Sequence, residues 1–243
     1  MSWLILLQTN YCMMMKVAII GTGRMGKGLL KTFYRAYGTQ VIFTGRDIAH
    51  AQSVIEELDL SLQAVPLEEA LQADVIIPTL WFSDLLAWAQ EHRKVLEGKI
   101  VIDISNPFNE NFDDFTTAYD TSAAEELQKV IPDSHVVTAF KNTYWVVFDA
   151  PVLQGLKSDV YVASNSGTAR ETVMQLLKQL PFRILDAGLL KNSRTIERMT
   201  LLSSELARKA GSHPRIAFNL WGLEHEGLPQ EKQARTNALK PVS

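Results

Sequence analysis

Short apolar runs alternate with amphipathic stretches along most of the chain. The apolar runs at residues 16–21, 40–44, 74–79, 99–104, 135–139, 158–164 and 182–187 are the kind that strands buried on both faces show. Between them, helical patterns occupy residues 24–37, 47–59, 66–72, 82–95, 122–130 and 168–180. In the first of these, Met25, Leu29, Phe33 and Tyr37 form an apolar stripe, while Lys27, Lys31 and Arg35 form a polar one. Such alternation predicts an α/β fold with a doubly wound parallel sheet and right-handed crossovers. A last helix is expected over residues 193–210, with Ile196, Met199, Leu202 and Leu206 as its apolar stripe. Arg208 and Lys209 fall in its last turn and Gly211 just beyond it, as a helix end prefers. Residues 106–120, NPFNENFDDFTTAYD, show no period and are long for a connection. They read either as a binding loop or as plain surface.

The junction of the first strand and the first helix carries a motif, AIIGTGRMGKG, that admits two readings. Gly21, Gly23 and Gly26 spell G-x-G-x-x-G, and with Lys27 they also spell most of a P-loop. Both devices hold phosphate on free N–H groups at a helix N-terminus. A P-loop needs a Ser or Thr hydroxyl after its Lys to ligate Mg²⁺, and here Gly28 has no side chain. Asp103, which ends the KIVID run, resembles a magnesium-binding acid, but apolar strands ending in Asp are common. The motif therefore reads as a dinucleotide loop, and the fold as Rossmann-like. After the second strand, Arg46 falls where a site for NAD would carry an acid to take the ribose 2′-OH. Its guanidinium suits a 2′-phosphate, so NADP(H) is the expected cofactor. Asp47 is read as an ordinary acid at the start of the next helix.

Composition narrows the class without changing it. With 243 residues, 47% apolar and 21% charged, the chain suits one large domain, or one with a small appendage. A net charge of −3 and the absence of a basic run give no support to a nucleic-acid partner. Cys12 is the single cysteine, which excludes an internal disulfide and fits a reducing, cytoplasmic setting. The opening apolar run at residues 3–7 is too short to span a membrane and lacks a basic flank. Residues 1–14 are thus expected to be an N-terminal extension and residues 15–188 the NADP-binding domain. Residues 189–229 are expected as a C-terminal helical region and residues 230–243 as a frayed tail. The five histidines, at positions 50, 92, 135, 213 and 225, have no zinc-site spacing. No nucleophile elbow exists, and no Lys or His stands out as a general acid. Hydride passing between two stacked rings needs none if the acceptor's own heteroatoms handle the proton.

Ligands of a doubly wound sheet sit at the carboxyl ends of its strands. Those ends read PTLWF, ISNPF and TAFKNTYW, mixing small polar with large apolar groups. Trp81 and Trp145 either border a flat ring or simply pack the core.

Taken together, the glycine loop with GKG, the Arg after strand two, DISNP, VVTAF-N-T and LDAGLLKNSRTIE resemble the 8-hydroxy-5-deazaflavin:NADP oxidoreductases. The resemblance runs from about Lys16 to Gly222. It implies an NADPH-dependent oxidoreductase passing hydride between NADP(H) and a deazaflavin, or a flavin such as FMN, with a homodimer as the usual assembly. By position, Gly21, Thr22, Gly23, Arg24, Met25 and Gly26 would surround the diphosphate. Thr44, Gly45 and Arg46 would hold the 2′-phosphate, and Leu80, Trp81, Asn106, Pro107 and Ala139 would border the nicotinamide. Trp81, Asn142, Trp145, Asn192 and Arg194 would line the acceptor pocket. Asn192 has a competing role as a helix N-cap, and Arg194 one as a surface or subunit contact. Three positions depart from the family pattern: Gly45 replaces a Ser, Lys141 is an extra residue in the AF-N-T motif, and Trp145 replaces smaller residues. Two other readings remain open at this point: an imine or ketone reductase related to the proline-type reductases, and a non-catalytic NADPH sensor.

Overall fold

The computed structural model describes residues 15–223, so the expected extension and tail, with Cys12 and His225, lie outside the described residues. The central sheet is built from β1 (Val17–Ile20), β2 (Val41–Thr44), β3 (Val75–Pro78), β4 (Ile100–Asp103) and β5 (His135–Thr138). All neighbours pair in parallel, in the order β2-β1-β3-β4-β5. The connecting helices are α1 (Arg24–Tyr37), α2 (Ile48–Glu57), α3 (Leu67–Ala70), α4 (Phe82–Glu91) and α5 (Ala123–Val130). The pleat explains the unbroken apolar runs. Val17 and Ile19 point into one core with α1 and α2, while Ala18 and Ile20 point into another with α3, α4 and α5. On α1 the expected stripe is the buried one. Leu29 and Phe33 are fully covered, and Met25 and Tyr37 pack against the same core at its ends. Each fully covered side chain contributes about 1.5–3 kcal/mol.

The chain departs from the expected sheet after β5. A 3₁₀ turn, Trp145–Phe148, and a hairpin of β6 (Val152–Leu153) and β7 (Leu156–Lys157) lead into β8 (Asp159–Val162). Then come α6 (Gly167–Leu177) and β9 (Arg183–Asp186). β8 and β9 are parallel to each other but form their own two-stranded sheet. A single antiparallel bridge, Thr138–Ala163, ties this pair to β5. The reason is the connection: no helix crosses over between β5 and β8, and a parallel join requires such a crossover.

The last helix, α7 (Ser193–Lys209), has the expected bounds and last turn, and Gly211 follows its cap with φ +65°. Its buried face is not the expected one. Leu202 and Leu206 are 58% and 53% exposed, whereas Ile196, Glu197, Thr200, Ser203, Ser204 and Ala207 are buried. The helix is rotated so that polar groups face inward. The cause is a charged cluster beneath it, described below.

Candidate functional site

The glycine loop closes on itself between the ends of three strands. The Gly21 N–H donates to the Thr44 carbonyl at the end of β2 (2.8 Å), and Thr79, just past β3, donates from N and Oγ1 to the Ile20 carbonyl. Gly21 has φ +121°, a backbone state that side chains disfavour, and a Cβ there would overlap the Thr79 hydroxyl. A Cβ on Gly26 would fall inside the Gly21 carbonyl oxygen, so α1 can approach the loop this closely only with glycine at that position. Gly23 differs from both. A Cβ there would meet nothing within 4 Å, so its neighbourhood is open. Gly23 is also the N-cap of α1, with no side-chain cap and no acid in the first turn. The first N–H groups of the helix are therefore available to an anion, and the helix dipole favours one. A dinucleotide diphosphate fits this cradle.

At the end of β2, Asp47 caps α2, its Oδ1 accepting from Ala49 N (2.8 Å) and His50 N (3.3 Å). It is thus the residue before the helix rather than the first inside it, and its charge is spent on backbone donors. Arg46 beside it is exposed, with no carboxylate partner among the described residues. Thr44 is fully buried and donates to the Val65 carbonyl (2.6 Å), so its hydroxyl does not make up for the Ser that Gly45 replaces. A Cβ on Gly45 would stand 2.8 Å from Thr22 Cγ2, which explains the glycine by packing.

Of the groups expected at the nicotinamide, Leu80 and Asn106 are half-buried, and Trp81 is 59% exposed. Pro107 is buried, and Ala139 is fully enclosed, with no surface left for a ring. Trp81 meets Phe112 edge-on at 6.0 Å, and Phe112 continues to Phe108 and Phe115. The unpatterned residues 106–120 thus fold back as an aromatic cluster, pinned by Arg198 stacked 3.8 Å over Tyr119.

The residues expected around the acceptor each engage a different partner. Asn142 is buried and donates to the Asp159 carbonyl (2.7 Å), which makes it a core residue. Asn192 stands at the N-cap of α7 without a capping bond and donates instead to the Ala187 carbonyl (2.6 Å). Arg194 forms a two-pronged pair with Glu125 of its own chain (2.8 and 2.6 Å). Trp145 is half-buried against Arg24 of the glycine loop.

Sequence reasoning missed a buried charge cluster at the ends of β4 and β5. The Lys141 ammonium lies 2.7 Å from Asp103 Oδ2 and 2.9 Å from Glu197 Oε1, with all three side chains essentially inaccessible. It also donates to the Ser105 carbonyl. Asp103 Oδ1 accepts from Ser105 N and Oγ (2.8 and 2.7 Å), and Asn106 Nδ2 donates to the Lys141 carbonyl (2.8 Å). The Ser105–Asn106 turn is therefore held from both sides. Burial alone would pull the Lys141 ammonium down, but Asp103 and Glu197 more than offset it and hold it above its ordinary value. Burial pushes the Glu197 carboxyl up, against the opposing pull of Lys141. The Lys141 ammonium is thus held between two acidic side chains. A lysine just past the end of β5, between Phe140 and Asn142, with an Asp ending the neighbouring strand, was the available signal.

Two cavities of ≈ 970 and ≈ 390 Å³ open beside Lys16, Gln40 and Val41, and beside Lys99, Ile100 and His135. Both lie at strand N-terminal ends, opposite the glycine loop. Among the described residues there is no group of His, Cys, Asp and Glu that could hold a metal, and no helix long and apolar enough to cross a membrane.

Comparison with known proteins gives a consistent picture. Residues 16–107 match the family model described as NADP oxidoreductase coenzyme F420-dependent. The F420-dependent NADP reductase of Methanocaldococcus jannaschii is 31% identical over 207 residues, spanning 77% of this chain and 90% of that protein. Human metalloreductase STEAP2 is 30% identical over 186 residues, which cover 76% of this chain but 36% of that protein. In fold, the chain resembles a crystal structure from Arthrobacter sp. FB24, proposed to be an F420-dependent NADP reductase. The TM-score is 0.70 at 21% identity, covering 82% of this chain and 96% of that one.

Proposed function

The chain belongs to the family of F420-dependent NADP reductases, and from that membership we propose that it is an NADP-dependent oxidoreductase passing hydride between NADP(H) and the deazaflavin F420. The nicotinamide ring supplies the hydride chemistry when bound. The chain's own residues bind and orient. Free N–H groups at the start of α1 take the diphosphate over Gly23, and Leu80, Trp81, Asn106 and Pro107 border the rings.

The observation that carries the choice of NADP over NAD is the pair Arg46–Asp47. The acid is occupied as a helix cap, and the guanidinium is free for a 2′-phosphate. NADPH is expected to bind more tightly than NADH by about 2–3 kcal/mol, measured by calorimetry. Equal affinities would remove the 2′-phosphate assignment, and Arg46→Asp is expected to abolish the preference.

A homodimer and a cytoplasmic setting belong to the same reading. Leu202 and Leu206, exposed on α7, support the former by offering an apolar contact. The acceptor is tested by stopped-flow oxidation of NADPH with F420, FMN and a cyclic imine in parallel. Fast hydride loss to F420 is expected. Loss to the imine alone would overturn the deazaflavin assignment, and loss to none of the three would argue against catalysis.

A further inference from the structure

Arg24 opens α1, at the helix end where the aligned peptide dipoles disfavour a cation. No acid stands in the first turn to compensate, and no carboxylate among the described residues pairs with it. What it touches is Trp145, whose ring centroid lies 3.8 Å from the guanidinium carbon. The height of that ring is fixed from below. Trp145 begins the 3₁₀ turn that ends in Phe148, and Phe148 sits so close to α1 that a Cβ on Gly28 would come within 2.5 Å of it. The side is fixed by His213, edge-on to Trp145 at 6.2 Å and to Tyr144 at 5.6 Å. Burial, and then Arg208 and Arg24, hold the His213 imidazole below its ordinary value. Two guanidinium groups, those of Arg24 and Arg208, thus act on this imidazole.

We propose that Trp145 is a positioning residue for the cofactor's diphosphate: its indole face holds the Arg24 guanidinium at the glycine loop, ready to pair with the anion that settles on the start of α1. The chemistry of the partner matters. A carboxylate in the place of Trp145 would orient Arg24 equally well but would neutralise it and compete with the ligand. An aromatic face orients a cation and leaves its charge unspent. Gly28, which departs from the P-loop pattern, acquires a purpose in this arrangement, since any side chain there would displace Phe148 and the turn that carries Trp145. Trp145 is thereby assigned to the cofactor side rather than to the wall facing the acceptor.

This inference rests on the glycine loop being the NADP(H) site, and the test separates the two. Calorimetry on the full chain compares NADP⁺, which has the diphosphate, with adenosine 2′-monophosphate, which has only the group assigned to Arg46. Trp145→Leu is expected to weaken NADP⁺ about three- to tenfold and to leave the monophosphate unchanged. Trp145→Phe, which keeps a ring face and is the safer variant for folding, is expected to lose less. Arg24→Gln should weaken NADP⁺ by itself, and adding Trp145→Leu should cost nothing further, because the two act as a unit. Additive losses, equal losses for both ligands, or a folded Trp145→Leu with unchanged NADP⁺ affinity would each overturn the role of Trp145. A wild-type chain that binds neither ligand would overturn the NADP(H) site, and the inference with it.

Discussion

The first and last helices, α1 and α7, were read from the same kind of pattern, and only one of them buries what its pattern implies. In α1 the apolar stripe faces an apolar sheet, so the residues that avoid water and the residues that are covered coincide. In α7 the surface to be covered is the Lys141–Asp103 pair with the backbone carbonyls around it, and Glu197 of α7 itself reaches into that pair. The side chains that fit there are hydrogen-bonding ones. Thr200 Oγ1 donates to the Lys141 carbonyl (2.9 Å), Tyr144 OH donates to the Thr200 carbonyl (3.1 Å), and Ser193 shares a hydrogen bond with Thr138 (2.6 Å). A hydrophobic stripe therefore predicts the buried face of a helix only when its neighbour is itself apolar.

The comparison breaks most visibly at Lys141. Lys141→Met removes the one cation between two buried carboxylates, and urea unfolding should show a loss of about 3–5 kcal/mol. A loss near zero would mean that the cluster is not what seats α7.

On the α1 side the corresponding test is steric. Gly26→Ala puts a methyl group into the Gly21 carbonyl and is expected to destabilise the fold by about 1–3 kcal/mol, with NADPH binding lost. Gly23→Val, placed in open space, should leave the unfolding curve unchanged while abolishing NADPH binding. If both variants lose stability alike, the distinction between packing glycine and ligand glycine fails.

A finer test uses pH. The folded Glu197 carboxyl lies above its unfolded value, so its contribution to stability is fully present below about pH 4.5 and is lost as pH rises through the folded value. Glu197→Gln does not ionise. Its stability relative to the wild type should therefore climb from about pH 4.5 upward, read from denaturation curves across pH. A constant difference would mean that Glu197 titrates normally.

The smallest effect is expected at the exposed stripe. Leu202→Glu and Leu206→Glu should each change the stability of the monomer by no more than about 0.5 kcal/mol, far below what the equivalent change at Leu29 of α1 would cost. Gel filtration of the same variants should show a shift to a smaller species. An unchanged elution volume would remove the α7 contact from the proposed dimer.

The parallel core was legible because β1 to β5 and the helices between them obey two simple periods and bury apolar faces throughout. The antiparallel seat of β8 was not. Direction is set by the connection, and residues 140–158 carry no period from which a turn and a hairpin could be told from a crossover. In the site, the glycines and Arg46 were readable because their chemistry is local, fixed by a turn and by the end of one strand. Thr79, which props up the loop from the next strand, and the meeting of Lys141 with Asp103 and Glu197 were not. They join residues 59, 38 and 56 positions apart, and nothing in a one-dimensional pattern pairs them.

The polar inner face of α7 also bears on how the protein is made. A nascent chain gathers its apolar strands and α1 as soon as they are available, but α7 offers that collapse little. Its docking partners exist only once β4 and β5 have paired and brought Asp103 beside Lys141. Glu197 then completes the cluster and, through its other oxygen, accepts the Ala123 N–H at the start of α5 (3.1 Å). The helix that emerges after the sheet is thus the one whose seat must be built first, and its arrival brings a second carboxyl to a lysine that Asp103 already neutralises.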